Sequence, residues 1–242
     1  SFINLTGAVL INNLSNLGIP RSGDVLRVTM ISAYEKIPFS KGLGTVISER
    51  VIDLVMMMLL VFSAMYMGGD WVKEQLGDSS VLLVSFGVFV VMVIAIMAFP
   101  FLINIKRFPY LARIKDFFLN IVKGIVSIRS IPNAVAFWAH TIFIWLMYIL
   151  MFWVIQFSLP EVALISPLVT LVGFVAGGIS IAVTNGGIGL YPIAVAAVLS
   201  RYGMPYEMAL AYGWIAWSSQ TLMILLFGGL SFVFLPVFNR KK

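Results

Sequence analysis

The sequence contains no cysteine. Disulfides, thiolate metal ligands and cysteine nucleophiles are therefore excluded, and the redox compartment cannot be read from it. Histidine occurs once, at His140, so no multi-histidine metal site can form within the chain. Charge is scarce as well. Asp, Glu, Lys and Arg together make up 11% of the 242 residues, where a soluble domain carries about 25%. Hydrophobic residues make up 61%, and the mean hydropathy is +1.03. Too little polar surface remains to cover a water-soluble globule, which excludes a cytosolic enzyme, a disordered chain and a coiled coil. The apolar runs are long rather than short and alternating, which excludes a membrane β-barrel. What remains is an all-α class, a polytopic transmembrane helix bundle.

The runs are unequal. Residues 1–17 are apolar but carry Asn4, Asn12, Asn13 and Asn16, amides that suit a helix packed against other helices. Residues 18–42 are polar and punctuated by Gly18, Pro20, Gly23, Pro38 and Gly42. A long helix is expected over 43–67, and clean spans over 81–104 and 134–157. Residues 167–184 are apolar and rich in small side chains. Asn185 to Pro192 breaks that run. Residues 193–199 are too short to cross, since a crossing takes about 20 residues. Residues 207–236 form a last span. The 167–203 region reads equally as a re-entrant hairpin or as two crossings. The chain begins at Ser1 within an apolar stretch, as expected of a fragment or processed form with helices upstream, and 1–242 reads as one integral membrane domain.

Net charge is +6. Lys and Arg concentrate in residues 21–50, in residues 105–133 and in the tail at Arg240, Lys241 and Lys242. Only Lys73 and Arg201 fall on the opposite side. The positive-inside rule then puts the basic loops and the C-terminus in the cytoplasm, in a multi-pass plasma (inner) membrane protein. Within 105–133, Leu111, Ile114, Phe118, Ile121, Ile125 and Ile128 recur at helical spacing, with Arg113, Lys115 and Lys123 off that stripe. This is a basic amphipathic cytoplasmic connector, suited equally to anionic lipid at the interface and to packing on the bundle.

Three constellations could carry chemistry. In Arg21-Ser22-Gly23-Asp24-Val25-Leu26-Arg27, Asp24 and Arg27 lie one helical turn apart. The breaks before them would expose helix-end N–H groups, which suit a phosphate. An interfacial loop with snorkelling arginines explains the same residues. Glu49, Arg50 and Asp53 project from one side of a helix at the start of an apolar run. Charges there usually face a cavity or one another, and a structural ion pair is the plain alternative. In Asn185-Gly186-Gly187-Ile188-Gly189, three glycines in four residues interrupt a helix. Alone, such a segment is more often a tight turn than a binding loop. Two Gly/Pro-interrupted apolar segments at the two ends of one bundle, however, point to a midplane site between broken helices. Gly173 and Gly177 form a small-residue packing face. His140 is expected to hydrogen-bond another helix, and the tryptophans to lie in interface belts or in the core.

Arg21-x-Gly23-Asp24-x-x-Arg27, Gly42-x-Gly44, Glu49-Arg50-x-x-Asp53 and Asn185-Gly186-Gly187-Ile188-Gly189 resemble, in order and spacing, the flippase-like integral membrane family named for the lysylphosphatidylglycerol synthase transmembrane region. The family pattern runs roughly R-x-G-E-x-x-R, E-R-x-x-D, P-G-G-I-G-x-x-E. Here Asp24 replaces the usual Glu, Asn185 and Gly186 stand where Pro-Gly is frequent, and Pro192 takes the place of the frequent Glu. The resemblance implies a helical bundle that handles anionic phospholipid or polyprenyl-phosphate lipids and moves them between leaflets. It implies no cofactor and no metal. The aminoacyl-transferase domain of the family's namesake does not fit in this length, so the protein reads as a non-enzyme. Arg21, Arg27 and Arg50 would hold a phosphate-bearing headgroup. Asp24, Glu49 and Asp53 would position them, and Gly23, Asn185, Gly186, Gly187 and Gly189 would shape the site. The alternatives are a membrane-embedded lipid transferase using Asp53 or Glu49 as base, and a structural partner of a lipid-modifying enzyme. Partners are membrane lipids, with self-association or such an enzyme in addition, and no nucleic acid.

Overall fold

The structure, a computed structural model, describes residues 1–19, 22–67, 133–159 and 165–240. Arg21, the span expected at 81–104 and the amphipathic segment 110–129 lie outside them. Among the described residues every regular element is helical: α1 (Phe2–Gly18), α2 (Ser22–Glu35), α3 (Phe39–Met67), α4 (Ala134–Val154, continued by a 3₁₀ turn Ile155–Ser158), α5 (Pro167–Val183), α6 (Leu190–Arg201) and α7 (Tyr206–Asn239). The chain divides into two compact units. One comprises Ser1–Val46 with Phe143–Lys242, the other Ile47–Ile142.

Local chemistry sets the helix ends. Ser166 caps α5, its side chain accepting from Val169 N at 3.3 Å, and Pro167 occupies the first turn, where its missing N–H costs nothing. Lys36 takes a left-handed φ of 55° just past α2, and Pro38 prevents the helix from resuming. The segment expected to be broken from Asn185 through Pro192 is broken only as far as Gly189. Pro192 stands in the first turn of α6, a place proline tolerates.

Among the described residues, two helices are long and apolar enough to cross a membrane, Ala134–Ser158 and Tyr206–Asn239. The latter, α7, has 34 residues and extends about 51 Å, against about 30 Å for a bilayer's hydrocarbon core. Its Leu222, Met223, Leu226, Leu230 and Val233 are more than half exposed, a surface suited to lipid.

The core of the first unit joins Phe152, Tyr191, Val195, Ala196, Leu199, Ala209, Tyr212 and Ala216. Lipid tails are as apolar as these side chains, so close packing and hydrogen bonds, rather than escape from water, hold such helices together. The packing is a set of glycine notches. A Cβ on Gly177 would stand 2.5 Å from the Tyr191 ring, one on Gly173 2.9 Å from Phe152, and one on Gly213 2.7 Å from the Pro192 backbone. These pairs also give the register: α5 and α6 are antiparallel, and α6 runs back beside the N-terminal part of α7. The Tyr212 hydroxyl donates to the Phe152 carbonyl and ties α7 to α4.

On the other side of α7, α1 packs along its C-terminal half. Gly228 meets Leu10 and Leu14, and Gly7 meets Leu235. Buried Asn4 exchanges hydrogen bonds with Asn239 at 2.8 and 3.0 Å and donates to Glu35 Oε1 at 2.7 Å. Asn4 is thus an interhelical tie, whereas Asn12 and Asn13 bond within α1.

At the opposite end of this unit, Gln156 Oε1 accepts from Ile165 N at 2.9 Å. Gln156 Nε2, Ser200 Oγ and Tyr202 Oη are buried without a hydrogen-bond partner among the described residues. Burial raises the pKa of the Tyr202 phenol above its ordinary range.

In the second unit, Asn133 Oδ1 caps α4 by accepting from Ala136 N at 3.1 Å. His140, expected to reach another helix, instead bonds the Ala136 carbonyl of its own helix. It is exposed, and the carbonyl one turn back is the nearest acceptor a helical side chain can reach.

Candidate functional site

The short polar stretch between α1 and α2 makes a helical hairpin. Ser15 Oγ and Ser22 Oγ lie 2.7 Å apart, and Ser22 Oγ also reaches the Ile19 carbonyl at 2.8 Å. Gly23 N donates to Asn16 Oδ1 at 2.9 Å. A Cβ on Gly23 would stand 2.1 Å from the Asn12 carbonyl oxygen, so only glycine fits where α2 crosses α1. Asp24 falls in the first turn of α2, where a carboxylate complements the helix dipole. Arg27 follows one turn later. Asp24 Oδ1 and Arg27 Nε are both shut off from solvent.

The α5–α6 turn is built from backbone. Gly186, Gly187 and Gly189 have φ of 69°, 79° and 73°, in the left-handed region that an L side chain enters only at a cost. Thr184 Oγ1 accepts from Gly187 N at 3.1 Å, and Tyr191 N bonds the Gly187 carbonyl at 2.9 Å. Trp217 Nε1 donates to the Gly186 carbonyl at 2.7 Å, fixing the turn to α7.

These two turns meet. Asn185 Nδ2 donates to the Leu17 carbonyl at 3.3 Å and to the Gly18 carbonyl at 3.5 Å. Leu17 Cδ2 lies against Gly186, 3.4 Å from where its Cβ would be. The carbonyls at the end of α1, which the helix itself leaves unbonded, thus accept from the other turn. Trp217 stands about 17 Å along α7 from its N-terminal end. With α7 centred on a bilayer, that depth is inside the hydrocarbon. Among the described residues, α5 has 17 residues, α2 has 14 and α6 has 12. One hairpin lies beside the C-terminal half of α7, the other beside its N-terminal part, and they join tip to tip.

Of the residues singled out in the sequence, Gly23, Asp24 and Arg27 belong to the first hairpin. Asn185, Gly186, Gly187 and Gly189 belong to the second. Glu49, Arg50 and Asp53 stand on α3 in the other compact unit. Arg50 Nη1 lies 3.3 Å from Asp53 Oδ2, with both side chains about half exposed; at such exposure an i,i+3 pair contributes at most about 1 kcal/mol. Sequence reasoning missed Trp217, Asn16 and Ser15 as members of the junction. An aromatic in an apolar span carries no mark that distinguishes a carbonyl donor from a belt residue. The polar side chains of residues 12–16 did carry a signal, their spacing before a break.

Residues 1–229 match the family model described as lysylphosphatidylglycerol synthase TM region. A membrane protein of Methanocaldococcus jannaschii, called a UPF0104 membrane protein, is 28% identical over 117 residues, which is 48% of this chain and 49% of that protein. The chain thus spans about half the length of the curated relative it matches. No solved structure matches it.

Proposed function

Because the chain belongs to the lysylphosphatidylglycerol synthase TM region family, we propose that it binds lipids with anionic, phosphate-bearing headgroups at the junction of its two hairpins and lets those headgroups cross the bilayer. The observation that carries this reading is the contact of Asn185 with the last carbonyls of α1. It puts two helix breaks, far apart in sequence, at one depth in an apolar bundle. Non-helical backbone at such depth is tolerated where it is buried in protein or lines a polar cavity, and paired discontinuous helices are the usual frame for a midplane substrate site.

The roles follow from charge. Arg27 stands in α2 and Arg21 precedes that helix in the sequence, and a guanidinium is the side chain best matched to a phosphate. The α2 N-terminus adds the positive end of its dipole. Asp24 orients the arginines. Arg50, with Asp53 at 3.3 Å on α3 in the other unit, is a separate basic position of its own. The basic loops and the tail face the cytoplasm of a plasma membrane, and membrane lipids are the partners. The protein acts without its own group-transfer chemistry.

The test is reconstitution into liposomes containing phosphatidylglycerol with a reporter headgroup. The protein should speed headgroup crossing well above that of protein-free vesicles. An Arg21→Ala/Arg50→Ala double variant, folded and inserted equally, should fall to the protein-free rate. Equal crossing in the double variant and the unaltered protein would remove the arginines from the mechanism.

A further inference from the structure

We propose that the Asn185 amide is a latch between the glycine turn and the end of α1, and that a passing headgroup releases it by parting Leu17 and Gly18 from that turn. The inference rests on the reading that headgroups pass at this junction.

The bonds at the junction are unequal. The glycine turn is held to α7 by Trp217 Nε1 at 2.7 Å from the Gly186 carbonyl. It is held to α1 by one amide group shared between two carbonyls, at 3.3 and 3.5 Å, near the outer limit for a hydrogen bond. Gly186 and Leu17 add ordinary van der Waals packing. Of the two hydrogen-bonded ties described, the one between Asn185 and the end of α1 is the longer and weaker.

Only the tip of α1 is in a position to give. Its body is locked to α7 where Gly7 meets Leu235 and Gly228 meets Leu14. At Gly18 there is room: a Cβ there would find nothing within 4 Å. Asn185 is also exposed, so its amide can exchange the two carbonyls for a ligand's phosphate oxygens at little cost.

The absence of native cysteine gives a clean test. A Gly18→Cys/Asn185→Cys pair carries only the two thiols of interest. Joined by oxidation or a short bis-maleimide, the pair should lose headgroup crossing at least tenfold relative to the same protein with free thiols, and reduction of the disulfide should restore it. Crossing that continues at full rate in the joined protein overturns the latch. Failure of the pair to join at all contradicts the closeness of the tips and overturns it too. A second readout needs no transport. In Gly18→Cys, labelling by a membrane-impermeant maleimide should rise several-fold when Asn185→Ala is added, and phosphatidylglycerol should raise it without that change. Labelling indifferent to Asn185 sinks the latch. Absence of lipid crossing in the unaltered protein, with labelling still dependent on Asn185, would instead sink the transport reading alone.

Discussion

The turn between α1 and α2 gathers polar side chains around one backbone bond, Ser22 N to the Ile19 carbonyl, whereas the turn between α5 and α6 depends on glycines in the left-handed region. In the first, Ser15, Ser22 and Asn16 occupy the polar groups left over where a helix stops, and Gly23 lets the two helices touch. In the second, three glycines with positive φ fold the chain back on itself, and the indole of Trp217 takes up a freed carbonyl. The first arrangement carries charge, with Asp24 and Arg27 on its second arm. The second has no charge near its turn, only Arg201 at the far end of its second arm. A polar turn closed by hydroxyls and amides can hold ions beside it, because its dipoles are already fixed. A glycine turn brings main chain close to a neighbour but offers little to bind an ion. Polar side chains crowd the first turn, and left-handed glycines make the second.

The largest effect should come from the close crossing of the charged hairpin. Gly23→Ala would drive a Cβ to 2.1 Å from the Asn12 carbonyl oxygen, which is main chain and cannot rotate away. The α1–α2 hairpin must open to admit it. We expect about 3 kcal/mol of destabilisation or more, seen as loss of folded protein in detergent and a lower thermal midpoint. A near-neutral Gly23→Ala would mean that the helices do not meet there.

The glycine-turn hairpin should respond less, and for a different reason. Gly187→Ala meets Ile181 and the Tyr191 Cβ at 3.1 Å, contacts tight enough to require small shifts, and adds the cost of φ +79°. About 1–2 kcal/mol is expected from the backbone conformation, measured by the same thermal midpoint. An effect as large as that of Gly23→Ala would erase the distinction between a steric and a conformational glycine.

How much of this was legible in the sequence depends on the kind of signal. Hydropathy marked α3, α4 and α7 to within a few residues, because length and apolarity are properties of the run itself. Gly173 and Gly177 read as a packing face and are one, since a bare Cα invites a neighbour's ring. Composition marked the two breaks, yet not their partners: nothing in Asn185 announces Leu17, as the contact is set by the way both hairpins seat on α7. The end of the second break was misplaced because Pro192 reads as a helix breaker, whereas in a first turn it breaks nothing. His140 was assigned to a neighbouring helix because a polar group in an apolar span needs a partner. The need was real, and the carbonyl four residues back met it. The charges of α3 were legible as an i,i+3 pair, and the Arg50–Asp53 contact has that form.

A smaller effect is expected from Trp217→Phe. The ring volume is largely kept, and what is lost is one hydrogen bond to the Gly186 carbonyl, about 1 kcal/mol in thermal or chemical unfolding. Its sharper signature should be positional. Without the indole N–H the glycine turn keeps its flanking helices and the long Asn185 bonds to α1 but loses its tie to α7, so amide exchange should quicken over 184–189 and not over 15–23. Equal quickening in both turns would show that the tips behave as one body rather than two.

The smallest effect is the control for all of these. Gly18 ends α1 without a positive φ, and a Cβ there meets nothing within 4 Å. Gly18→Ala removes unfolded-state freedom without straining the folded chain, so it should leave stability unchanged or raise it by up to about 0.5–1 kcal/mol. Three glycines of the two hairpins would then rank by cause: Gly23 by collision, Gly187 by backbone angle, Gly18 by neither. If Gly18→Ala instead cost as much as Gly187→Ala, the space beside the α1 tip would have to be occupied, and the tip could not swing away from Asn185.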